Sequence, residues 1–558
     1  MGRSTKTCSR KRKFCGNQYS SSMSNVNTSV VVSAEQKENK QRHTYNKLTG
    51  NRILDIEILM NVFSILFCPV CSKANLFLFE DSVFGLCSNL TLKCNSSNCD
   101  FVKAFSTSKK YNKLSEINIR IVYGLRLIGR GFSAAVKLCS TLNVPNLSKM
   151  AYRSLEKRIL PAVTEVAKKA MGDAAQEVKT LKNSQENVTR CGVSVDGTWQ
   201  RRGYSSLNGC VSVLSIDTGK ILDVEIMSQY CRTCKKLQGV QKHVKSSKHN
   251  CSNRKGSSAN MESVGAYRIF ERSQSSHQLL YTDYYGDGDS KAYETVKNIY
   301  DETTINKLEC IGHIQKRVGT RLRKLKNKTP SVRGKGKLTD KFIDKLQNYY
   351  GIAIRSNVGN LENMQRTVIS AFYHCCSSSR QLMHGQCPEG KESWCRYQRH
   401  QATTPGKKYI ETSTGLPKSV INSVKTVYLE LCDQSLLEKC LHGKTQNSNE
   451  SFNGVIWSII PKETFVELTT LRLGVYIAAI QFNKGFSGLL EVLDKMQISP
   501  GHITNDSFQI IDKIRMADLK RHSQSSTKQR RKKLRAIRKK KFSYAEEKEG
   551  ITYKSGEF

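Results

Sequence analysis

Acidic residues are scarce in this sequence relative to basic ones. Its 558 residues contain 47 Asp and Glu against 90 Lys and Arg, which gives a formal net charge of +43 at pH 7. A positive excess of this size favours a polyanionic partner, of which nucleic acid is the simplest. The alternative is a basic surface that only keeps the protein soluble.

Long apolar runs are also missing. No run approaches the roughly 20 residues that are needed to span a bilayer, so we expect no membrane partner. Residues 1–14 are basic and lack the apolar stretch of a secretory signal, so we expect no export by that route. The basic run Arg10–Lys13 is typical of nuclear localisation signals, although such runs are common in any basic tail.

Cysteine, in contrast, is abundant. The 20 Cys residues fall partly into Cys-x-x-Cys pairs with His residues nearby, which favours zinc sites in a reducing compartment over disulfides. Residues 51–112 combine two Cys pairs around an apolar hairpin, as in a zinc ribbon. The ligands predicted for this module, with Cys87 as a competitor, are Cys68, Cys71, Cys94 and Cys99.

Two further groups have looser spacings that also suit zinc. The first consists of Cys231, Cys234, His249 and Cys251, with His243 as an alternative ligand. The second consists of Cys375, His384, Cys387 and Cys395, with His374 and Cys376 as competitors. For each group the alternative is a set of buried thiols without metal.

Changes in composition along the chain predict seven regions. They are a disordered basic tail (1–50), the zinc-ribbon-like module (51–112), a helical region that is either a helix-turn-helix DNA reader or a plain linker (113–187), an α/β core with a Cys/His insert (188–318), a basic insertion with a Cys/His cluster (319–440), a closing helical part of the core (441–500) and a basic C-terminal tail (501–558). Within the helical region we expect an interruption at Pro161.

The core is predicted around the strand that ends at Asp196. The periodicity gives three consecutive strands, then a helix, a strand, a helix, a strand and a helix. This is the order of a ribonuclease-H-like α/β domain, in which the first and fourth strands are neighbours. Asp196 and Asp287 would then meet at one edge of the sheet.

Four motifs in this order carry a family resemblance. They are Ser194–Gly203, Gly286–Ser290, Cys310–His313 and Leu441–Ser451. From about residue 50 to about residue 500 the chain resembles the Mutator-like transposases of animals. The resemblance implies a DDE transposase with a largely helical insertion before the third acid, acting on double-stranded DNA as terminal inverted repeats and target. It also implies a homo-oligomer on DNA in the nucleus.

By motif position the resemblance assigns the three acids to Asp196, Asp287 and Glu450, with Asp289 as an alternative second acid, and makes Cys310 and His313 a structural motif. Phosphodiester cleavage needs an activated nucleophile and a stabilised leaving oxygen, which two Mg²⁺ (or Mn²⁺) ions about 4 Å apart supply. Hard oxygen ligands suit Mg²⁺, which explains carboxylates rather than Cys or His. Isolated acids would otherwise read as turn formers.

Basic segments extend the expected DNA contact. Arg321–Lys326 and Arg333–Lys337 could clamp phosphates, with a solvated helix face as the alternative, and Lys528–Lys541 suits nuclear targeting or DNA affinity. Two other classes of function stay open beside an active transposase. One is a domesticated nuclear DNA-binding protein without catalytic activity, and the other is a zinc-dependent RNA-binding factor.

Overall fold

The computed structural model describes residues 50–183, 187–200, 206–238, 258–286, 291–301, 303–531 and 533–537. The chain divides into two units, Met1–Arg52 and Ile53–Phe558, and every element below belongs to the second. The predictions for the following residues lie outside the described part of the chain: Arg10–Lys13, His243, His249, Cys251, Asp287, Asp289 and residues 538–541.

The first elements form a small antiparallel sheet. A short helix precedes three strands in the order β1-β2-β3, and a two-stranded ribbon follows. Gly85 lies in the two-residue turn between the first two strands at φ +63°, and a side chain there would collide with Leu147. The bounds are α1 (Ile56–Ser64), β1 (Leu76–Phe84), β2 (Cys87–Cys94), β3 (Val102–Ser106), β4 (Lys110–Tyr111) and β5 (Leu114–Ser115).

Three helices follow, α2 (Glu116–Leu127), α3 (Phe132–Thr141) and α4 (Lys149–Lys182). The interruption expected at Pro161 is wrong, because α4 runs through it. Pro161 is exposed on the outer side of the helix, while the apolar stripe of α4 stays buried on both sides of it. A proline inside a helix costs about 3 kcal/mol, which burial of a few large apolar side chains at about 1.5–3 kcal/mol each outweighs.

A five-stranded mixed sheet forms the centre, in the order β10-β9-β6-β7-β8. The first strand, β6, is antiparallel to β7 and parallel to β9, so the first and fourth strands of this sheet are neighbours. The bounds are β6 (Thr189–Gln200), β7 (Asn208–Ser215), β8 (Ile221–Ser228), α5 (Arg232–Gln238), α6 (Ser258–Glu271), α7 (Ser273–His277), β9 (Leu279–Gly286), α8 (Lys291–Val296) and β10 (Asn306–Glu309).

Helices make up the rest of the described chain. The bounds are α9 (Ile311–Lys328), α10 (Asp340–Ser356), α11 (Leu361–Cys376), α12 (Arg396–Thr403), α13 (Lys418–Leu429), α14 (Gln434–Glu438), α15 (Asn447–Ile459), α16 (Leu468–Lys484), α17 (Leu490–Lys495) and α18 (His502–Ser523). Helices α9, α10, α11, α13 and α14 enclose a hydrophobic core of their own. None of the described helices is long and apolar enough to cross a membrane.

The central sheet is covered on both faces. Val193 and Val195 of β6 belong to the core under α6, whereas α4, α15 and α16 pack with side chains from the opposite face. Because side chains alternate along a strand, Ser194, Asp196 and Thr198 project from the face opposite Val193 and Val195. This alternation directs Asp196 toward α15.

Candidate active site and metal centres

Helix α15 lies along β6 in a regular register. Ser194 Oγ donates to Asn449 Oδ1 at 2.6 Å, and Trp457 Nε1 donates to Thr198 Oγ1 at 2.8 Å. Four residues of helix advance about 6 Å and two residues of strand about 6.6 Å, so positions i, i+4 and i+8 of a helix can follow i, i+2 and i+4 of a strand. The middle step of this series falls on Asp196.

Asn453 of α15 makes the contact at that middle step. Its Nδ2 donates to Asp196 Oδ2 at 2.7 Å. Its Oδ1 is buried and has no hydrogen-bond partner among the described residues. A carboxylate beside an unsatisfied amide oxygen is a hard-oxygen donor set, so the residues present fit Mg²⁺ or Mn²⁺ at this position.

Glu450 lies in the first turn of α15, three residues before Asn453. Residues three apart on a helix are surface neighbours, about 5–6 Å between Cβ atoms. Its side chain is 60% exposed and its Oε1 lies 3.9 Å from Lys316 Nζ. Glu450 is thus accessible and beside the residue that holds the Asp196 carboxylate.

Gln446 ties the start of α15 to two strands at once. Its Nε2 donates to the carbonyl oxygen of Val195 at 2.9 Å and to that of Tyr285 at 3.3 Å. These residues directly precede Asp196 and Gly286, and Asp287 follows Gly286 in the sequence. One amide therefore fixes the start of α15 against β6, next to Asp196, and against the end of β9.

Cys310 and His313 occupy the start of α9, next to this loop. Cys310 is the N-cap residue of α9, and its Sγ accepts a hydrogen bond from the Gln446 N–H at 3.4 Å. Burial alone would raise the pKa of Cys310, but hydrogen bonds from His313 and from the Gln446 N–H lower it. Cys310 therefore helps to hold Gln446, the residue that contacts Val195 and Tyr285.

The four Cys residues predicted for the first module come together. Two sulfur pairs, Cys68–Cys99 and Cys71–Cys94, are each 3.7 Å apart, and all four Sγ atoms lie within 4.8 Å of one another. A zinc ion with four Zn–S bonds of about 2.3 Å has S–S edges of about 3.8 Å, so the cluster could hold zinc. Cys87 is not part of it, because its Sγ contacts Ser106 Oγ at 3.2 Å instead.

Local backbone geometry favours the thiolate in this cluster. Hydrogen bonds from the Lys73 and Ala74 backbone lower the pKa of Cys71 to about 6, despite some burial. The thiolate is the form of Cys that binds a metal. The Cys68-Pro69-Val70-Cys71 turn thus supplies a ligand that is already ionised near neutral pH.

The second described cluster differs from its prediction at one ligand. His374, His384, Cys387 and Cys395 have donor atoms within 4.8 Å of one another, whereas Cys375 is buried in the hydrophobic core of α9, α10, α11, α13 and α14. This corrects Cys375 to His374. Successive helical residues point about 100° apart, so only one of the two can face the cluster from α11.

The distances in this cluster suit a tetrahedral ion. His374 Nδ1 and His384 Nδ1 are 3.2 Å apart, and His384 Nδ1 lies 3.6 Å from Cys395 Sγ. With Zn–N near 2.0 Å and Zn–S near 2.3 Å, the corresponding tetrahedral edges are about 3.3 and 3.5 Å. Cys387 lowers the pKa of Cys395 to about 4, which favours a thiolate.

Glu411 completes this site from outside the ligand set. Its Oε2 lies 2.9 Å from His384 Nε2, the ring nitrogen opposite the one that faces the cluster. Burial alone would raise the pKa of Glu411, but hydrogen bonds from the Ser413 N–H and His384 lower it. A carboxylate that accepts from the outer nitrogen of a zinc-binding His fixes its tautomer and orientation.

Replacing Glu411 with Gln is expected to weaken zinc binding at the His374 cluster by about 10–100-fold, because the anionic partner of His384 is lost. Competition with a chromophoric chelator measures this affinity. Glu389→Gln, at an exposed position near Cys387, is the matched control and should leave it unchanged. Equal affinities for wild type and Glu411→Gln would contradict the assignment.

The remaining Cys/His group is only partly described. Cys231 is buried and Cys234 half-buried at the start of α5, and their three predicted His and Cys partners lie outside the described residues. This group therefore stays a prediction.

The basic segment of α9 is largely paired with acids. Arg321 contacts Glu430 at 2.9 Å, Arg323 contacts Asp344, and Lys326 contacts Asp340 at 2.9 Å. These exposed ion pairs favour the solvated helix face over the phosphate clamp for this segment.

Several residues of these sites escape sequence reasoning. They are Glu411, Gln446, Asn449 and Asn453. For the last two a signal exists: two Asn residues four apart, on either side of Glu450, place amides on one helical face. Glu411 lies 27 residues from His384, and no local pattern joins the two.

The mixed sheet carries Asp196 on its central strand, helix α15 carries Glu450 near it, and two Cys/His clusters could hold zinc. These features define an α/β protein with candidate metal sites. Comparison with protein families then gives the family: a family model described as Mutator-like transposase matches residues 50–395, more than half of the chain. The chain belongs to the Mutator-like transposase family, which supports a transposase-related function and DNA binding. The match ends before Glu450. No curated protein matches the chain at a significant level.

Proposed function

We propose that this protein is a DNA transposase that binds terminal inverted repeats and catalyses strand cleavage and strand transfer. Asp196, Asp287 and Glu450 are its catalytic acids, with Asp289 as the alternative for the second position. The sheet order β10-β9-β6-β7-β8, with β6 parallel to β9, supports a ribonuclease-H-like core. A homo-oligomer on DNA in the nucleus completes the proposal.

The observation that carries the proposal is the bond between α15 and Asp196. The Asn453–Asp196 hydrogen bond lies one helical turn from Glu450, and the parallel pairing of Ser194 with Tyr285 brings the end of β9 beside β6. Asp196 and Glu450, which are 254 positions apart in the sequence, thus lie near each other, and the end of β9 that precedes Asp287 in the sequence lies beside β6. Convergence of distant acids is the arrangement that two-metal phosphodiester chemistry requires.

In this scheme the residues of the chain hold and orient the metal ligands, and the phosphorus of the DNA is the electrophile. Mg²⁺ or Mn²⁺ bound there would activate the attacking hydroxyl and stabilise charge on the leaving oxygen. Asp196 offers a carboxylate whose Oδ2 is fixed by Asn453, and Glu450 remains accessible to solvent and substrate. Gln446 keeps the start of α15 against β6 and against the end of β9.

A cleavage assay on the ends of the element tests the function. Inverted repeats in the genomic sequence around the coding region define these ends, and the full chain is incubated with them in Mg²⁺ or Mn²⁺. Nicking at the repeat boundary is expected. A chain that binds the ends and never cuts them would instead support the domesticated DNA-binding protein.

Asn453→Ala should lower the cleavage rate by about 10–100-fold, the usual effect of losing a group that orients a metal ligand. DNA binding should stay within about twofold, since Asn453 is half-buried and carries no charge. Asn447→Ala, at an exposed position on the same helix, is the control and should cut normally. A shift of the Mn²⁺ concentration at half-maximal rate in Asn453→Ala would show that the loss acts through metal binding. Cleavage by Asn453→Ala at the wild-type rate would show that Asn453 does not position Asp196 for the reaction.

A further inference from the structure

A cleft of about 870 Å³ opens where the turn between α2 and α3, the first turns of α4 and the loop before α16 meet. We propose that this surface, the N-terminal cleft, binds the sugar–phosphate backbone of duplex DNA next to the acidic site. The inference rests on the proposed function because it takes DNA as the polyanion. It identifies the cleft as one part of the surface that contacts the DNA.

Unpaired positive charge is the main property of the N-terminal cleft. Five exposed cations line it and form no ion pair with an acid in the described part of the chain: Arg130, Lys137, Lys149, Lys157 and Arg232. The two acids that line the cleft are already engaged. Glu156 pairs with the buried Arg126, and Glu467 lies 3.6 Å from Arg153.

This distinguishes the cleft from the basic segment of α9. There Arg321 and Lys326 each contact a carboxylate at 2.9 Å. A cation that is already paired releases less free energy on meeting a phosphate, because the existing pair must first be broken. The cations of the cleft meet no such competition and are available for counterion exchange with DNA.

The N-terminus of α3 adds a second source of positive potential. Gly131 is the N-cap residue and provides no side chain to accept from the first helical N–H groups. Gly131, Phe132, Ser133 and Ala134 all line the cleft. An uncapped helix start directs N–H groups and the positive end of the helix dipole at a bound anion, which suits a phosphate oxygen.

The N-terminal cleft is attached to the elements that carry Asp196 and Glu450. Gly129, at φ +72°, lies so close to the Ser458 carbonyl at the end of α15 that a Cβ would be 2.1 Å from its oxygen. At the end of β6, Gln200 Nε2 donates to the carbonyl of Pro461, which lines the cleft, at 3.4 Å. Asp196 is four strand residues away, about 13 Å. This corresponds to about four base pairs of duplex.

The test measures how the binding of DNA by the full chain depends on salt. The probe is a fluorescent duplex of mixed sequence of about 30 base pairs, and log K is plotted against log salt. The triple variant Arg130→Ala, Lys149→Ala and Lys157→Ala should lower the magnitude of the slope by about 2.7, since each lost phosphate contact contributes about 0.9. The control triple variant, Lys407→Ala, Lys408→Ala and Lys418→Ala, removes three exposed charges of the insertion and should leave the slope within about 0.5 of wild type.

An unchanged slope in the cleft variant, with unaltered thermal unfolding, would overturn the inference. Equal losses in both triple variants would also overturn it, because the charges would then act only through the overall field. If the salt dependence of DNA binding changes in the cleft variant but the wild type never cuts DNA, the cleft stands as a DNA-binding surface. The proposal that the protein is an active transposase would then be rejected. Failure of the wild type to bind duplex DNA at low salt would remove both.

Discussion

Replacing Glu450 with Gln is expected to abolish strand cleavage and to leave DNA binding nearly intact. The amide keeps the size of the side chain but loses the charge that a metal ligand needs. Removing several kcal/mol of transition-state stabilisation corresponds to a rate loss of about a thousandfold. The single exposed carboxylate contributes little to DNA affinity, which depends on neutralised phosphates. A gel-shift assay beside a cleavage assay on the same end DNA measures both quantities.

Glu362→Gln is the matched control for this change. Glu362 is also exposed and also the acidic residue of a first helical turn, that of α11. Both substitutions lose the same favourable interaction with a helix N-terminus, about 0.3–1 kcal/mol, so a difference between them reports on the site. If Glu450→Gln nicks the DNA as fast as Glu362→Gln, Glu450 is not the third acid.

The strands of the central sheet were accessible to sequence reasoning because their signal is local. Buried β-branched runs such as Val193–Asp196 repeat at a period of two, and turn residues bound them. The first and fourth strands were predicted to be neighbours, and β6 and β9 are indeed paired, in parallel. That pairing needs a connection of a dozen or more residues, which the helices between β8 and β9 supply.

The features that sequence reasoning missed depend on the direction in which side chains point and on contacts with residues far away in the sequence. His374 and Cys375 are adjacent, and only the rotation of α11 decides which one faces the cluster. From the sequence alone, the cations of α9 form an unpaired basic segment. The structure shows that Glu430 and Asp344 form ion pairs with two of them. The continuity of α4 through Pro161 depends on apolar contacts with the sheet and α16, which no window of sequence contains.

The same reasoning explains why the sequence predicts the acids of the proposed site but not the amides around them. Sequence patterns place the predicted acids after apolar strand runs and at a helix start, although β6 continues past Asp196 to Gln200. The amides of Gln446, Asn449 and Asn453 act across about 160 to 260 positions of sequence separation, on β9 and β6. The contacts of Asn449 and Asn453 arise because four residues of α15 and two residues of β6 advance by nearly the same distance. This agreement appears only when the helix packs against the strand.

Cys71→Ser should remove one zinc ion per chain and unfold the module around β1, β2 and β3. Serine is not ionised near neutral pH and cannot replace the thiolate that Cys71 provides. The three-stranded sheet has a small core, and several of its large side chains, including Phe79 and Phe84, are about half exposed. A structural zinc site of this kind contributes about 10–16 kcal/mol of apparent binding free energy at pH 7, far more than so small a core supplies.

Metal analysis of the purified full chain measures the first effect, and limited proteolysis within residues 76–106 measures the second. Cys87→Ser is the control, because Cys87 is buried in the same module but its sulfur faces Ser106 rather than the other four thiols. It should retain the wild-type zinc content. If Cys71→Ser keeps its full zinc content and resists protease like Cys87→Ser, the four thiols are a packed cluster without metal. The module would then have to be stabilised by its contacts with the helices that follow it, such as the hydrogen bond from Asn118 Nδ2 to the Phe84 carbonyl at 2.7 Å.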